Sequence, residues 1–313
     1  MSAMLGTSFR MTLDLGNVPR CKRRNMRSVI IGTSGQLATE LHRQAEGVDL
    51  RPPHKIDVAD ESAVRALLDA ARPALVINAS AYTAVDRAEQ ERDRAFAVNA
   101  DGPRYLARWC AAHGAALIHV STDYVFDGTK ANAYVEDDAV GPLNVYGESK
   151  LAGELAIREE LASHLIVRTS WVFSAHGQNF VKSMLRLARE RDELRIVSDQ
   201  SGRPTAASDL ARALLTLAGR RASGETIAWG TYHFAGAGET TWHGFAQAII
   251  AEQAAYTGRR PLVTAIATSD YPTPARRPTN SLLDTSLFER TFGVAPRSWR
   301  DDLREVVRQI VTP

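Results

Sequence analysis

The β-branched run Val29-Ile30-Ile31 leads without a spacer into Gly32-Thr33-Ser34-Gly35-Gln36-Leu37-Ala38. Such a run makes a short buried strand, and two glycines three apart make a tight turn into a helix. With Leu37, Leu41 and Ala45 on the buried face of that helix, the segment predicts the first strand–turn–helix unit of an α/β fold. Gly32 and Gly35 let the backbone approach a pyrophosphate, whose charge the helix N-terminus beside Gln36 and Leu37 favours. Ala38 replaces the last glycine of the fingerprint, a change that close helix–strand contact tolerates. Taken alone, the motif fits a ligand-free tight turn as well.

The segments that follow repeat the alternation. Val48 to Arg51 reads as a second strand. The position about twenty residues beyond the glycines, where an acid would bond a ribose 2′-hydroxyl, holds Arg51, then Pro52 and Pro53. Arginine suits a 2′-phosphate and so points to NADP, although a solvated edge arginine fits equally. Asp57 and Val58 precede a helix over 61–71, where Asp57 either meets adenine or satisfies backbone at the helix start. Ala74 to Asn78 is apolar enough for a parallel strand covered on both faces, and its carboxyl end, Ala79 to Thr83, points at the ligand crevice. Helix is expected over 86–113, interrupted at 99–103. A strand over 115–120 ends in Ser121-Thr122-Asp123, residues 127–144 form a loop, a helix covers 146–161, and a strand covers 164–168. This order predicts a Rossmann-type doubly wound parallel sheet over residues 26–175.

Beyond residue 175 the pattern changes to helices at 180–189, 208–217, 242–256 and 298–311, a polar turn at 199–205 and one strand at 231–235. Residues 176–313 are expected to form mainly a smaller α/β substrate domain, some of whose segments return to the first. The proline-rich stretch 272–280 carries Arg276 and Arg277, adjacent cations suited to clamp phosphates.

Tyr146 and Lys150 stand four positions apart, one helical turn on the same face. A cation beside a phenol favours phenolate; lowering the pKa by roughly two to three corresponds to about 3 to 4 kcal/mol. With 8 tyrosines and 5 lysines among 313 residues, such a pair arises by chance in about one sequence in eight, so context decides.

Composition narrows the class. The net charge of +2 is spread throughout and advertises no nucleic acid. Two cysteines exclude a disulfide framework and fit a reducing cytoplasm. The eight histidines lack metal-ligand spacing, and no apolar run is long enough for a membrane span. Residues 1–25, with five basic side chains and no apolar core, read as a disordered extension.

The glycine turn, Ser121-Thr122 and Tyr146-x-x-x-Lys150, in this order over 27–175, resemble the extended short-chain dehydrogenase/reductase superfamily. Residues 121–126, 144–147, 168–172 and 274–278 look like the dTDP-4-dehydrorhamnose reductase family within it. The resemblance implies hydride transfer from NADPH, or NADH, to the C4 ketone of a nucleotide-linked 6-deoxy sugar. It implies Tyr146 as proton donor, Lys150 at the nicotinamide ribose and Thr122 on the carbonyl oxygen. Gly32, Gly35, Gln36 and Leu37 would meet cofactor phosphates, Asp57 and Val58 the adenine, and Ala81, Tyr82 and Thr83 the linking ribose. Asp123 and Trp171 would touch the sugar, and Arg276 and Arg277 the dTDP moiety. Tyr124 stands where related dehydratases carry a glutamate, which disfavours elimination. Glu40 matches one magnesium ligand of some relatives, but Ser208 stands at another, so no metal is placed. The resemblance admits a homodimer, and also a different nucleotide-sugar enzyme or a non-catalytic NADP-binding regulatory subunit.

Overall fold

A computed structural model describes residues 27–45, 50–54 and 56–312, without the side chains of 50–54. The expected extension at 1–25 lies outside the described residues. Six parallel strands form the central sheet, in the order Gly230–His233, His164–Thr169, Ala116–Thr122, Leu75–Asn78, Ser28–Ile31, Leu50–His54. Their continuous apolar character has a direct reading. Val29 and Ile31 face one layer of helices while Ile30 faces the other, and the same division holds for Val76 against Ile77 and for Ile166 against Val167. The helices Gln36–Arg43 and Ala207–Ala222 contribute to one layer; Glu61–Ala71, Gly102–His113 and Val145–Glu160 contribute to the other. Each fully buried aliphatic side chain contributes roughly 1.5 to 3 kcal/mol of burial free energy.

The chain passes from Ser28–Ile31 to one neighbour, Leu50–His54, then to the other, Leu75–Asn78. The crevice between their carboxyl ends is therefore a topological switch point. Leu50–His54 lies at the sheet edge, which tolerates Pro52 and Pro53 because neither has an N–H to give.

A third apolar cluster joins Phe180–Glu190, Trp242–Thr257 and Trp299–Val311. It packs with a parallel two-stranded pair, Glu193–Val197 and Leu262–Ile266, which the sequence reading missed. Neither strand alternates cleanly, and Leu262 is largely exposed. The helix Ser286–Phe292 was also missed, and the expected polar turn at 199–205 contains two-residue strands at Ser201–Gly202 and Thr205–Ala206. The first helix ends at Arg43, so Ala45 falls beyond it.

The predicted break at 99–103 is a π-helical turn, Ala97–Asp101, with Pro103 entering the next helix. It carries buried Asn99, whose amide bonds both the N–H and the C=O of Tyr82 at 2.8 and 3.0 Å and the Ser149 hydroxyl at 3.0 Å. A Cβ on Gly153 would lie 2.1 Å from the Asn99 carbonyl oxygen. The helix bearing Tyr146 can reach this seat only with glycine there. Gly153→Ala should destabilise the fold by about 2 kcal/mol through overpacking. Urea unfolding checks this, and an unchanged midpoint would deny the close approach.

Candidate active site

At the switch point Gly32 has φ +125°, and a Cβ there would stand 3.2 Å from the Ala79 carbonyl group. Only glycine accommodates both the dihedral and the approach. Gly35 caps the next helix without a side-chain bond, and nothing lies within 4 Å of where its Cβ would be. The helix N-terminus thus opens onto a cavity of 570 Å³. Its wall includes Gly35, Gln36, Leu37, Ala81 and Thr83 on one side. Thr122, Asp123, Tyr146, Lys150 and Trp171 complete it on the other. Free backbone donors at a bare helix end fit a dinucleotide diphosphate. Gln36 spans the two halves: its amide donates to Val172 O at 3.3 Å and accepts from Asn179 at 2.9 Å.

Local sequence explains how Tyr146 arrives. Asn144 caps its helix by accepting from Gly147 N at 2.8 Å. Gly147 lets that end settle on the turn after Thr122, because a Cβ would lie 2.2 Å from Tyr124 O. The rings of Tyr124 and Tyr146 meet edge-on at 5.7 Å. The Thr122 hydroxyl donates to Asp123 at 2.9 Å, and Thr122 and Tyr146 line the same cavity. Burial pushes the phenol pKa up to about 12; the neighbouring Thr122 hydroxyl opposes this and the Asp123 charge adds to it.

That corrects one expectation. Lys150 does not lower the phenol's pKa among the protein groups. Its Nζ turns to the strand instead, 2.7 Å from Val120 O and 3.1 Å from His119 Nε2, and burial lowers its pKa to about 8, partly offset by Glu154. Burial likewise raises Asp123 to about 6 against its hydroxyl and backbone bonds.

Trp171 lines the same cavity with φ +49°, a left-handed backbone that bulky residues rarely adopt. It stacks on Trp242 at 3.6 Å and lies over Gly202, where a Cβ would meet its ring at 2.4 Å. Trp242 in turn borders a second cavity of 460 Å³ with Phe180, Arg195, Tyr271 and Arg277. The two expected clamp arginines part here. Arg277 is half-buried and bound by Asp86 at 2.7 and 3.0 Å, whereas Arg276 is exposed and contributes its carbonyl to Asn144.

Asp57, Val58 and Tyr82 lie outside the first cavity's wall. Asp57 accepts from Ala59 N at 3.1 Å and pairs with Arg94 at 2.9 Å, an ion pair that holds its carboxyl below the usual range. Val58 is buried against Gly102. Tyr82 is anchored through Asn99 and gives its hydroxyl to Glu91 at 2.6 Å. The backbone of Arg51 pairs with Val29, while its side chain lies outside the described residues. Among the described residues no three His, Cys, Asp or Glu side chains gather as a metal site. Glu40 is taken by Arg43 and Gln44 at 3.2 and 3.1 Å, and Gln44 also donates to Ser208 O. Sequence reasoning missed His119, Asn78, Trp242 and the Glu154–Arg168 pair. Each acts across the fold, where no local spacing marks it.

A family model described as the RmlD substrate binding domain matches residues 26–312. A dTDP-4-dehydrorhamnose reductase of Sinorhizobium fredii is 45% identical over 287 residues, 90% of this chain and 97% of the relative. The crystal structure of a dTDP-4-dehydrorhamnose reductase from Clostridium acetobutylicum superposes with a TM-score of 0.84 at 36% identity, covering 91% of this chain and 99% of that one. One from Bacillus anthracis, in complex with NADP, gives 0.84 at 35% identity over the same shares. The family model and these relatives cover nearly the whole described chain, and the chain belongs to the dTDP-4-dehydrorhamnose reductase family.

Proposed function

We infer that this chain reduces the C4 ketone of dTDP-4-dehydro-L-rhamnose with NADPH, giving dTDP-L-rhamnose. One observation carries the reading: Thr122, Asp123, Tyr146 and Lys150 share a single cavity wall with the helix N-terminus that follows the glycine turn. The Bacillus anthracis relative in complex with NADP supports the choice of cofactor. The cofactor supplies the hydride; the residues orient the ketone and deliver the proton.

Gly32, Gly35, Gln36 and Leu37 would receive the diphosphate, and Arg51 the 2′-phosphate. Asp57 and Val58 would border the adenine, with Ala81, Tyr82 and Thr83 at the linking ribose. Lys150 would hold the nicotinamide ribose. Thr122, its hydroxyl bonded to Asp123, and Tyr146 line the same cavity, so a carbonyl oxygen placed against them would receive a hydrogen bond before it receives a proton. With its pKa raised, Tyr146 keeps that proton at neutral pH until an alkoxide forms. Trp171 and Asp123 would flank the sugar. The second cavity, with Trp242 and Arg277 on its wall, suits the nucleoside diphosphate end, and Arg276 would meet the same end of the ligand. A cytoplasmic setting fits buried, unpaired Cys110. Association as a homodimer belongs to the same reading.

Given dTDP-4-dehydro-L-rhamnose, the purified chain should oxidise NADPH; unchanged absorbance of the reduced cofactor with either NADPH or NADH would sink the assignment. Tyr146→Phe should lower kcat by about 100- to 10,000-fold while NADPH still binds, as expected for loss of a general acid. Full turnover in that variant would place the proton donor elsewhere. The lysine's charge is present below its pKa of about 8 and lost above it. NADPH affinity should therefore fall between pH 7 and pH 9, and Lys150→Met should flatten that dependence in a fluorescence titration.

A further inference from the structure

Behind the active-site wall runs a buried string of side chains whose hydrogen-bond directions are set from one end. The backbone N–H of Ser80 can only donate, and it faces Asn78 Oδ1 at 3.1 Å, as does the Ser80 hydroxyl at 2.7 Å. The Asn78 oxygen is therefore committed to Ser80, and its Nδ2 donates to His119 Nδ1 at 3.0 Å. An imidazole that accepts at Nδ1 carries its proton at Nε2. That Nε2–H points at Lys150 Nζ, 3.1 Å away. An ammonium has three N–H donors and no lone pair, so it would oppose this N–H donor to donor. A neutral amine satisfies every contact: it accepts from His119 and donates to Val120 O at 2.7 Å.

We propose that His119 is a positioning residue which, held in its Nε2–H tautomer by Asn78 and Ser80, stabilises the uncharged amine of Lys150. The string makes the lysine proton labile. Protonating Lys150 requires His119 to surrender its Nε2 proton. Asn78 must then turn over, which strands the Ser80 N–H against an amide NH2 group. Asn78 and His119 are wholly buried, so no solvent competes to relax the arrangement.

The other charged groups around Lys150 are few. Glu154, one turn on in the same helix, favours the ammonium, but its carboxylate is already bound by Arg168 at 2.7 and 2.9 Å and by Arg158 at 3.1 Å. Tyr146 is protonated, and Asp123 beside it is bonded to Thr122. Burial holds the His119 pKa well below the ordinary histidine value, consistent with a neutral ring. Lowered lysine basicity follows the same sense. The catalytic meaning rests on the reductase reading: a lysine whose charge is readily lost would regain its proton as the anionic cofactor arrives. The tautomer does not depend on that reading.

The test reads the ring itself. Nitrogen-15 NMR of histidine-labelled, full-length protein at pH 8.5 should show His119 with a protonated Nε2 and a bare Nδ1; a protonated Nδ1 overturns the proposal. In Asn78→Asp the carboxylate can accept from Ser80 and His119 together. The ring proton should then move to Nδ1, and the Lys150 titration midpoint, read by NMR of labelled lysine, should rise by roughly one pH unit or more. An unmoved ring proton in a folded Asn78→Asp protein would also overturn it. If NADPH oxidation fails while the tautomer is as stated, the reductase reading falls and the string stands.

Discussion

Glu154 and Arg168 are buried together, and the face of the Tyr146 helix follows from where that pair must lie. Both side chains are at most 1% exposed, and two bonds of 2.7 and 2.9 Å join them. Such a pair adds little net stability over apolar residues, but breaking it would strand a buried charge at about 3 to 5 kcal/mol. Its value here is registry. Tyr146, Lys150 and Glu154 are each four residues apart, so anchoring Glu154 to the sheet turns the other two the same way. Arg168 also reaches Glu136 O and lies over the Phe126 ring at 5.0 Å, which draws the loop after Thr122 against the sheet.

Two glycines let that anchoring operate. Gly153 allows the helix to rest on the Asn99 carbonyl, and Gly147 allows its first turn to rest on Tyr124 O. Asn99 then binds Ser149 on the helix and Tyr82 beyond the third strand. The helix is thus held by backbone contacts at its first turn and at its middle, and by charge beside the second of these. The strand ends after Leu75–Asn78 and Ala116–Thr122 come to the same cavity as the helix.

The legible parts of this arrangement are those with a local physical signature. The β-branched strands, the glycine turn and the i, i+4 pair declare themselves through period and backbone demand, and the structure places them at one switch point. The helix at Glu61–Ala71 falls where its pattern put it, although Asp60, not Asp57, caps it through two N–H bonds. What stayed hidden depends on partners far along the chain. Nothing near Trp242 says that it stacks on Trp171, and nothing near Asp86 says that it meets Arg277. The strands Glu193–Val197 and Leu262–Ile266 are half-exposed, so they lack the alternation that would reveal them. The direction of the tyrosine's pKa was misjudged for the same reason. Spacing puts the lysine within reach, but only the fold shows it bonded to Val120 and His119 instead.

That outcome follows from a single electrostatic rule applied along one wall. Burial penalises the charged form of each group, so it raises Tyr146 and Asp123 and lowers Lys150. All three are thereby moved toward neutrality, while the full charges of Glu154 and Arg168 cancel one another behind them. For a ketone reduction this is the useful polarity. A phenolate could not donate, whereas a phenol with its pKa near 12 holds its proton through binding. It releases that proton only to a base as strong as a nascent alkoxide. The helix N-terminus after Gly35 also offers an anionic ligand an attraction that does not titrate. Binding and proton donation are thus served by different elements, the first by backbone dipoles at the glycine turn, the second by a phenol kept neutral by its surroundings.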